Sequence, residues 1–389
     1  MSDYILIKNI EVQNANAVAG LTSGFPAITH FLGFMHNLHR KYAQVNQAKN
    51  IQFDGVAVVS HKQQIHTFGK YDDRFVQSKN PPYLQAHNKK ESTPIIEEGK
   101  MNMTVSLVIS MQGYIGENDW LVLKQWLLNA SYLQRLAGGT ILNIEEIARF
   151  KIDKTDSNMG DFRSLKRSLM PGFVLIDRCE YLEEHYKNLK EANEQSELLD
   201  AWLNFSSLKY SARPQSDLIE KYLTQSSLSH LYEIWQALKA VKYKSQSIPV
   251  TLKNHFNALA EDKKFKKLME QWSRYCAPDE KTNADWEYVP KPYRGWLVPI
   301  MNGYKAISPV YKAGEVSSTR DDKTDVCFVE ATHSIAEWLG INRIRTVDDL
   351  TNCFWQYCYE QNWYLCKKIS LTKQSVVTSH SDAPTEDYL

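Results

Sequence analysis

Residues 103–111 alternate strictly, with Met103, Val105, Leu107, Ile109 and Met111 on one side and Thr104, Ser106, Val108 and Ser110 on the other. A period of two sends successive side chains to opposite faces of a strand, so this stretch requires a sheet with one face in a core. Something must cover that face. Phe31, Phe34, Met35, Leu38 and Tyr42 fall at helical spacing, which predicts an amphipathic helix over 27–42 with Gly33, His36, Asn37 and Arg40 opposite. Leu123, Trp126, Leu127, Ala130 and Leu133 predict a second such helix over 118–136, ended by Gly138-Gly139.

Four further apolar, β-branched runs read as strands: 4–12, 55–59, a start at 140–142, and 173–176. Residues 60–94 are polar and carry Pro81-Pro82, so they read as an excursion between strands. The order strand, helix, strand, excursion, strand, helix, strand predicts an α+β chain. It is a βαββαβ, ferredoxin-like or RRM-like, antiparallel sheet with two helices on one face and the other face free. Many RNA-binding modules use that arrangement, and so do unrelated enzymes. The expected divisions are a first domain over 1–178 and a helical segment over 179–290. A C-terminal α/β region over 291–389 follows, with a frayed tail at 379–389.

Net charge is +1 across 389 residues, so the whole molecule is no basic nucleic-acid coat, and any such site must be a local patch. Residues 221–275 carry ten Lys/Arg against four Asp/Glu, a local excess of six. The six cysteines form no CxxC pair and suit reduced thiols in a cytosolic protein. MSDYILIKNIEV lacks the pattern of a signal peptide, and no apolar run approaches the ~20 residues of a membrane span. These features predict a cytoplasmic chain.

Walker-type, GxGxxG, GxSxG and HExxH patterns are all missing, so kinase, dehydrogenase and hydrolase readings lack their anchors. What remains is glycine beside positive charge. Arg135 precedes Gly138-Gly139, and Arg163, Lys166 and Arg167 precede Met170-Pro171-Gly172. Glycines admit close backbone approach, and Arg and Lys suit phosphates. Tyr293-Arg294, Trp296, Tyr304 and Arg320 mix aromatic and basic residues, with Trp296 and Tyr304 expected in the core. His36, on a polar helix face with Arg40, is the best candidate for a general base in metal-free RNA cleavage, but no partner acid is marked by spacing. No metal or cofactor site is expected. His61 and His66 lack a third ligand at useful spacing.

An ordered set of motifs then narrows the reading. QNANA at 13–17, GFP at 24–26, FLGFMHNLHR at 31–40 and DGVAVVSH at 54–61 come first. IIEEGKMNMTVSL at 95–107, RLAGGTIL at 135–142 and LMPGFVLIDR at 169–178 follow. GWLVPIMNGYKAISPVYKAGEV at 295–316, Arg320-Asp321, Phe328-Val329-Glu330 and Glu337-Trp338-Leu339 complete the set. Together they resemble the Csy-type tail subunit of the RAMP superfamily, which caps the crRNA 5′ handle in type I-F CRISPR surveillance complexes of the Cascade kind. Residues 211–285 carry none of these motifs and read as a helical, basic insertion.

The resemblance implies a non-catalytic RNA-binding subunit. Its partners are the crRNA 5′ handle, the large subunit as a heterodimer, the backbone subunits, and target DNA through the assembled complex in antiviral defence. It also implies a thumb-like role for 60–94. On this reading the residues that touch RNA are Asn14, Asn16, His36, Arg40, Arg135, Gly138, Gly139, Arg163, Lys166, Arg167, Arg178, Arg294 and Arg320. Two alternatives stand: an endoribonuclease that processes the crRNA, and a protein–protein scaffold that touches no RNA.

Overall fold

The computed structural model describes residues 2–45, 51–71, 74–79, 95–96, 98–152, 159–241, 243, 246–319 and 321–368. Arg320, the heart of the 60–94 excursion and the 379–389 tail lie outside the described residues. The chain is mixed helix and sheet, and falls into two compact units: Met1–Ser206 with Pro292–Leu389, and Ser207–Lys291.

The first unit begins with β1 (Ser2–Asn16), α1 (Ile28–Val45), β2 (Gln52–Ile65) and β3 (Lys100–Gln112). It continues with α2 (Glu117–Tyr132), the short β4 (Arg135–Leu136), β5 (Gly139–Ile152), α3 (Gly160–Ser168) and β6 (Phe173–Asp177). Helices α4 (Cys179–Ala192) and α5 (Leu198–Ser206) follow. The second unit holds β7 (Lys209–Pro214), α6 (Asp217–Leu223), α7 (Ser229–Ala240), α8 (Val250–Leu259), α9 (Lys266–Cys276) and β8 (Ala284–Val289). The chain then returns to the first unit through β9 (Leu297–Ala306), β10 (Val329–Gly340), α10 (Val347–Thr351), β11 (Trp355–Glu360) and β12 (Trp363–Lys368).

One antiparallel sheet organises the first unit, in the order β4-β5-β1-β3-β2-β6-β10-β9-β12-β11. The pair Trp355 and Val56 brings β11 back beside β2, so this end of the sheet curls onto itself. β3 keeps the predicted alternation, with Met101, Met103, Val105, Leu107, Ile109 and Met111 buried in the larger core. The α1 stripe of Phe31, Leu32, Phe34, Met35, Leu38 and Tyr42 lies on them. Burying a side chain such as Phe31 or Leu38 is worth about 1.5–3 kcal/mol, so packing rather than propensity holds α1. Phe25 fixes the entry to α1, stacked on Phe31 and edge-on to Trp338 at 4.8 Å.

The opposite face of the sheet is not free, as the sequence led us to expect. Phe162, Leu165 and Leu169 of the α3 segment, with Ile341, Ile344, Leu350 and Phe354, pack on Tyr4, Leu6, Ala57, Val59, Val108, Val174 and Ile176. The apolar spacing of α3 is masked by its charge. Helices α4 and α5 pack in the same unit, with Leu182, Ala201 and Phe205 against Leu297 and Ile335. The second unit has its own core of Ile219, Leu223, Trp235, Leu252, Phe256, Leu268, Trp272 and Tyr275.

Two two-residue ribbons occupy the described parts of the excursion: Thr67–Phe68 with Arg74–Phe75, and Ser78–Lys79 with Ile95–Ile96. β2 itself runs to Ile65, six residues past the apolar run that announces it, because Lys62–Ile65 pair with Met101–Thr104.

Candidate nucleic-acid interface

Helix α2 stops at Tyr132, before the glycines, and Leu133 caps it. Gly138-Gly139 is therefore not a helix cap. Arg135 pairs with Thr140 and Leu136 with Gly139, leaving Ala137 (φ 51) and Gly138 (φ 76) as the two central residues of a tight hairpin. Two successive residues with positive φ are what the right-handed twist of such a turn requires.

The two glycines do different work. A Cβ on Gly139 would lie 2.7 Å from both Ala15 N and Gln13 O, so this glycine admits the chain's own β1. A Cβ on Gly138 would meet nothing within 4 Å, so that position is open and needs glycine only for its φ. Asn16 N donates to Ala137 O at 2.8 Å, tying the end of β1 to the turn. Asn14 has φ 57 and is exposed, and its N–H donates to Asn102 Oδ1 at 3.1 Å. The Asn16 Oδ1 accepts from Val18 N at 3.2 Å.

Helix α1 reaches the same hairpin. Asn37 Nδ2 donates to Gln134 Oε1 at 2.6 Å, and Arg40 Nη2 to Asn37 Oδ1 at 3.3 Å. Arg40 and Arg135 are both exposed. One turn earlier, His36 sets its ring edge-on to Tyr357 at 6.1 Å. Desolvation, then the charges of Arg40 and His39, hold His36 below the ordinary histidine pKa. It is therefore neutral at pH 7. The structure thus brings together Asn14, Asn16, Arg40, Arg135, Gly138 and Gly139, with His36 on the adjoining turn of α1.

The other basic residues are elsewhere. α3 follows the far end of β5, whose 14 residues span roughly 40 Å, and it packs on the opposite face of the sheet. Arg163 and Arg167 are exposed there, but Lys166 is turned inward. Its Nζ donates to Ile344 O at 2.6 Å and Asn342 O at 3.1 Å. Arg178 is likewise engaged by protein. Its Nε donates to Glu337 Oε2 at 2.8 Å and its guanidinium lies over the Tyr181 ring. Arg294 is exposed beside Tyr293, which stacks on Tyr181 at 4.6 Å. Trp296, expected in the core, is 58% exposed and edge-on to Phe173, while Tyr304 is partly buried.

A polar row on the sheet went unforeseen. The His61 imidazole bridges Pro171 O (Nδ1, 2.7 Å) and Ser106 Oγ (Nε2, 2.8 Å). Asn9 N donates to the same Ser106 Oγ at 2.9 Å, and Asn9 Nδ2 to Glu145 Oε2 at 2.5 Å. Lys8 Nζ meets the other oxygen of Glu145, which, with the Asn9 amide, holds that carboxyl below the usual range. The serine in the strict alternation of β3 was the one signal in the sequence. Its partners on two other strands were not marked.

Among the described residues no group of three or more His, Cys, Asp or Glu is placed to hold a metal ion, and no helix is long and apolar enough to cross a membrane. All six cysteines are free thiols. The residues gathered at the hairpin supply hydrogen-bond donors, two exposed guanidinium groups and an open glycine, which suits binding a polyanion.

Comparison with known proteins gives two findings. The model of the family described as CRISPR-associated protein (Cas_Csy2) matches residues 5–240 and 250–366. The CRISPR-associated protein Csy2 of Pseudomonas aeruginosa (strain UCBPP-PA14) is 28% identical over 362 residues, covering 89% of each chain. The family match runs through most of 211–285, the segment without the ordered motifs, and omits only 241–249 within it.

Proposed function

The chain belongs to the Csy2 family of CRISPR-associated proteins, and on that premise we propose that it is the non-catalytic subunit that caps the crRNA 5′ handle in a type I-F surveillance complex. The large subunit pairs with it, the backbone subunits abut it, and target DNA is reached through the assembly, in the cytoplasm and in antiviral defence. We read the strand order β5-β1-β3-β2, with α1 and α2 on one face, as a ferredoxin-like module. The excursion at 60–94 is its thumb. The segment 207–291 is a helical module inserted, in sequence, between the ferredoxin-like module and the C-terminal strands.

One observation carries the reading. Asn16, Arg40, Arg135 and Gly138 converge on one end of the sheet, joined through Ala137, Asn37 and Gln134, and Asn14, held by Asn102, sits two residues before Asn16 on the same strand. Arginines pair with phosphates, exposed amides read base edges or backbone, and a glycine with open space above it lets a sugar–phosphate chain approach. Arg163 and Arg167, on α3, and Arg294, beside Tyr293, lie apart from this cluster and are not part of the proposed contact. Lys166 and Arg178 serve the fold.

Crosslinking the assembled complex to handle RNA should map to 13–17 and 135–142. Arg135→Ala and Arg40→Ala should each flatten the salt dependence of handle binding by about one unit for every phosphate the arginine neutralises. An unchanged slope in both variants, with no crosslink in either stretch, would leave only the protein-scaffold alternative. Incubation with precursor RNA without metal should give no specific cleavage. Cleavage abolished by His36→Ala would establish the endoribonuclease instead.

A further inference from the structure

β5 lies almost at the margin of the sheet. β4 pairs with it only through Thr140 and Gly139. Beyond those two residues, among the described residues, its outer edge has no strand beside it. At either end of that open stretch a side chain meets a backbone N–H: Ile144 N donates to the Tyr132 hydroxyl at 3.1 Å, and Lys151 N to Asp161 Oδ2 at 2.9 Å. Residues 145–150 lie between them.

Helix α2 runs alongside. Its first residue, Glu117, pairs with Lys151 Nζ at 2.9 Å, and its last, Tyr132, holds Ile144. Fifteen helical steps and seven strand steps both span roughly 22–23 Å, so helix and strand edge run antiparallel in step. Leu121 and Leu128 share the helical stripe that joins Glu117 to Tyr132. Leu121 is 63% exposed and Tyr132 43%. Leu133 and Leu142, at the same end as Tyr132, are also exposed. Leu128 is partly buried against the larger core, so the exposed apolar side chains beside the strand edge are Leu121 and Tyr132, with Leu133 and Leu142 at one end.

We propose that this edge receives an extended segment of a neighbouring protein subunit, added to the sheet as one more strand over residues 145–150, with alternate apolar side chains against Leu121 and Tyr132. A row of main-chain donors and acceptors is matched by another extended backbone, and the flanking stripe supplies the pockets for alternate side chains. Glu145 is paired with Lys8 and Asn9, and Glu117 with Lys151, so charge does not select the occupant; the open row of main-chain donors and acceptors does, and it is matched by polypeptide rather than by the RNA assigned to the hairpin. This inference rests on the chain being a subunit of a multi-protein assembly.

Hydrogen exchange on the free chain and on the copurified complex, before and after ribonuclease treatment, tests it. Amides of 144–150 should exchange at least about tenfold more slowly in the complex, and that protection should survive removal of the RNA. Protection of 135–142 should instead depend on the RNA, so the two readings fail separately. Leu121→Glu, a surface change, should keep the melting temperature of the free chain and lower incorporation into the complex by about tenfold. Unchanged exchange at 144–150 in an assembled complex overturns the proposal, as does protection that disappears with the RNA. Equal protection in the isolated chain at high concentration assigns the edge to a second copy and also overturns it. A chain that copurifies with no partner overturns both readings.

Discussion

Lys166 separates charge from role. Its ammonium satisfies two carbonyl oxygens of the turn at 341–344, one of them 176 residues away in sequence. Lys166→Met should therefore cost about 1–3 kcal/mol, the penalty for leaving partly buried acceptors unmet. Arg163→Ala and Arg167→Ala, on the exposed side of the same helix, should stay within about 0.5 kcal/mol. Urea unfolding of the three variants checks the ordering. Nothing local in the sequence tells Lys166 from its neighbours, because its partners arrive only when β10 and the turn after it fold against α3. Arg178 is the same case, its partner Glu337 lying on β10. Trp296 errs in the other direction: an apolar side chain just before a strand is largely exposed, in a T-shaped contact with Phe173.

His333 makes a pH-dependent clamp. Its Nε2 accepts from Leu21 N at 3.0 Å, and the backbone of Ala19 lies within hydrogen-bonding reach of the ring. The imidazole must be neutral to accept. Desolvation holds its pKa below the ordinary 6.5, only partly offset by the Ala19 backbone. The unfolded chain then binds the proton more readily than the folded one. Its contribution is fully present above about pH 6.5 and is lost as pH falls below that value. Melting temperature should drop on acidification from pH 7.5 to 5.5, and His333→Gln should remove part of that drop. His30 and His36, also held low, account for a further part with the same sign.

At the scale of elements, the hairpin of β4 and β5 shows what a glycine pair hides. Adjacent glycines after a helical run fit a helix cap and a two-residue turn equally well, and only the pairing of Leu136 with Gly139 decides. Gly139→Ala should cost about 1–3 kcal/mol through forced separation of β5 from Gln13–Ala15. Gly138→Ala should cost about 1–2 kcal/mol through its positive φ alone, and Gly138→Asn less. Denaturation midpoints check the order. Under the proposed function, Gly138→Asn also narrows the open approach and should weaken handle binding more than it destabilises the fold.

The elements legible in the sequence, α1 and β3, are those whose apolar residues recur at one regular period, even though β3 is covered on both faces, with Ser106 and Val108 buried on the second. β5 is legible only at its start, because an edge strand with Asn143, Glu145 and Glu146 exposed has no alternation to read. The charge of α3 dominates its sequence, although Phe162, Leu165 and Leu169 carry the packing that closes the second face.

For the whole molecule, the mixed helix-and-sheet class with an antiparallel sheet followed from the sequence of elements, since each helix had to return the chain to a sheet it could cover. The joining of β9–β12 to that same sheet did not follow. It depends on β6 lying between β2 and β10, a pairing with no local mark. The second unit raises the remaining question at this scale. The chain enters it through β7 and leaves through β8, and those strands pair antiparallel with Lys209 opposite Val289. Paired residues lie about 5 Å apart, so the entry and exit of Ser207–Lys291 are neighbours. Its core closes on itself around Trp235, Phe256 and Trp272. Replacing 207–291 by a short Gly/Ser linker should therefore leave the first unit folded, because loop closure over so small a gap costs little. The excised segment should unfold cooperatively by itself. Circular dichroism and calorimetry on both pieces test this. A first unit that fails to fold without the segment would show that the core around the sheet depends on it. If the linked variant folds but no longer enters the complex, the contribution of 207–291 is to assembly, and its excess of lysines over 221–275 is the first place to look for the interface.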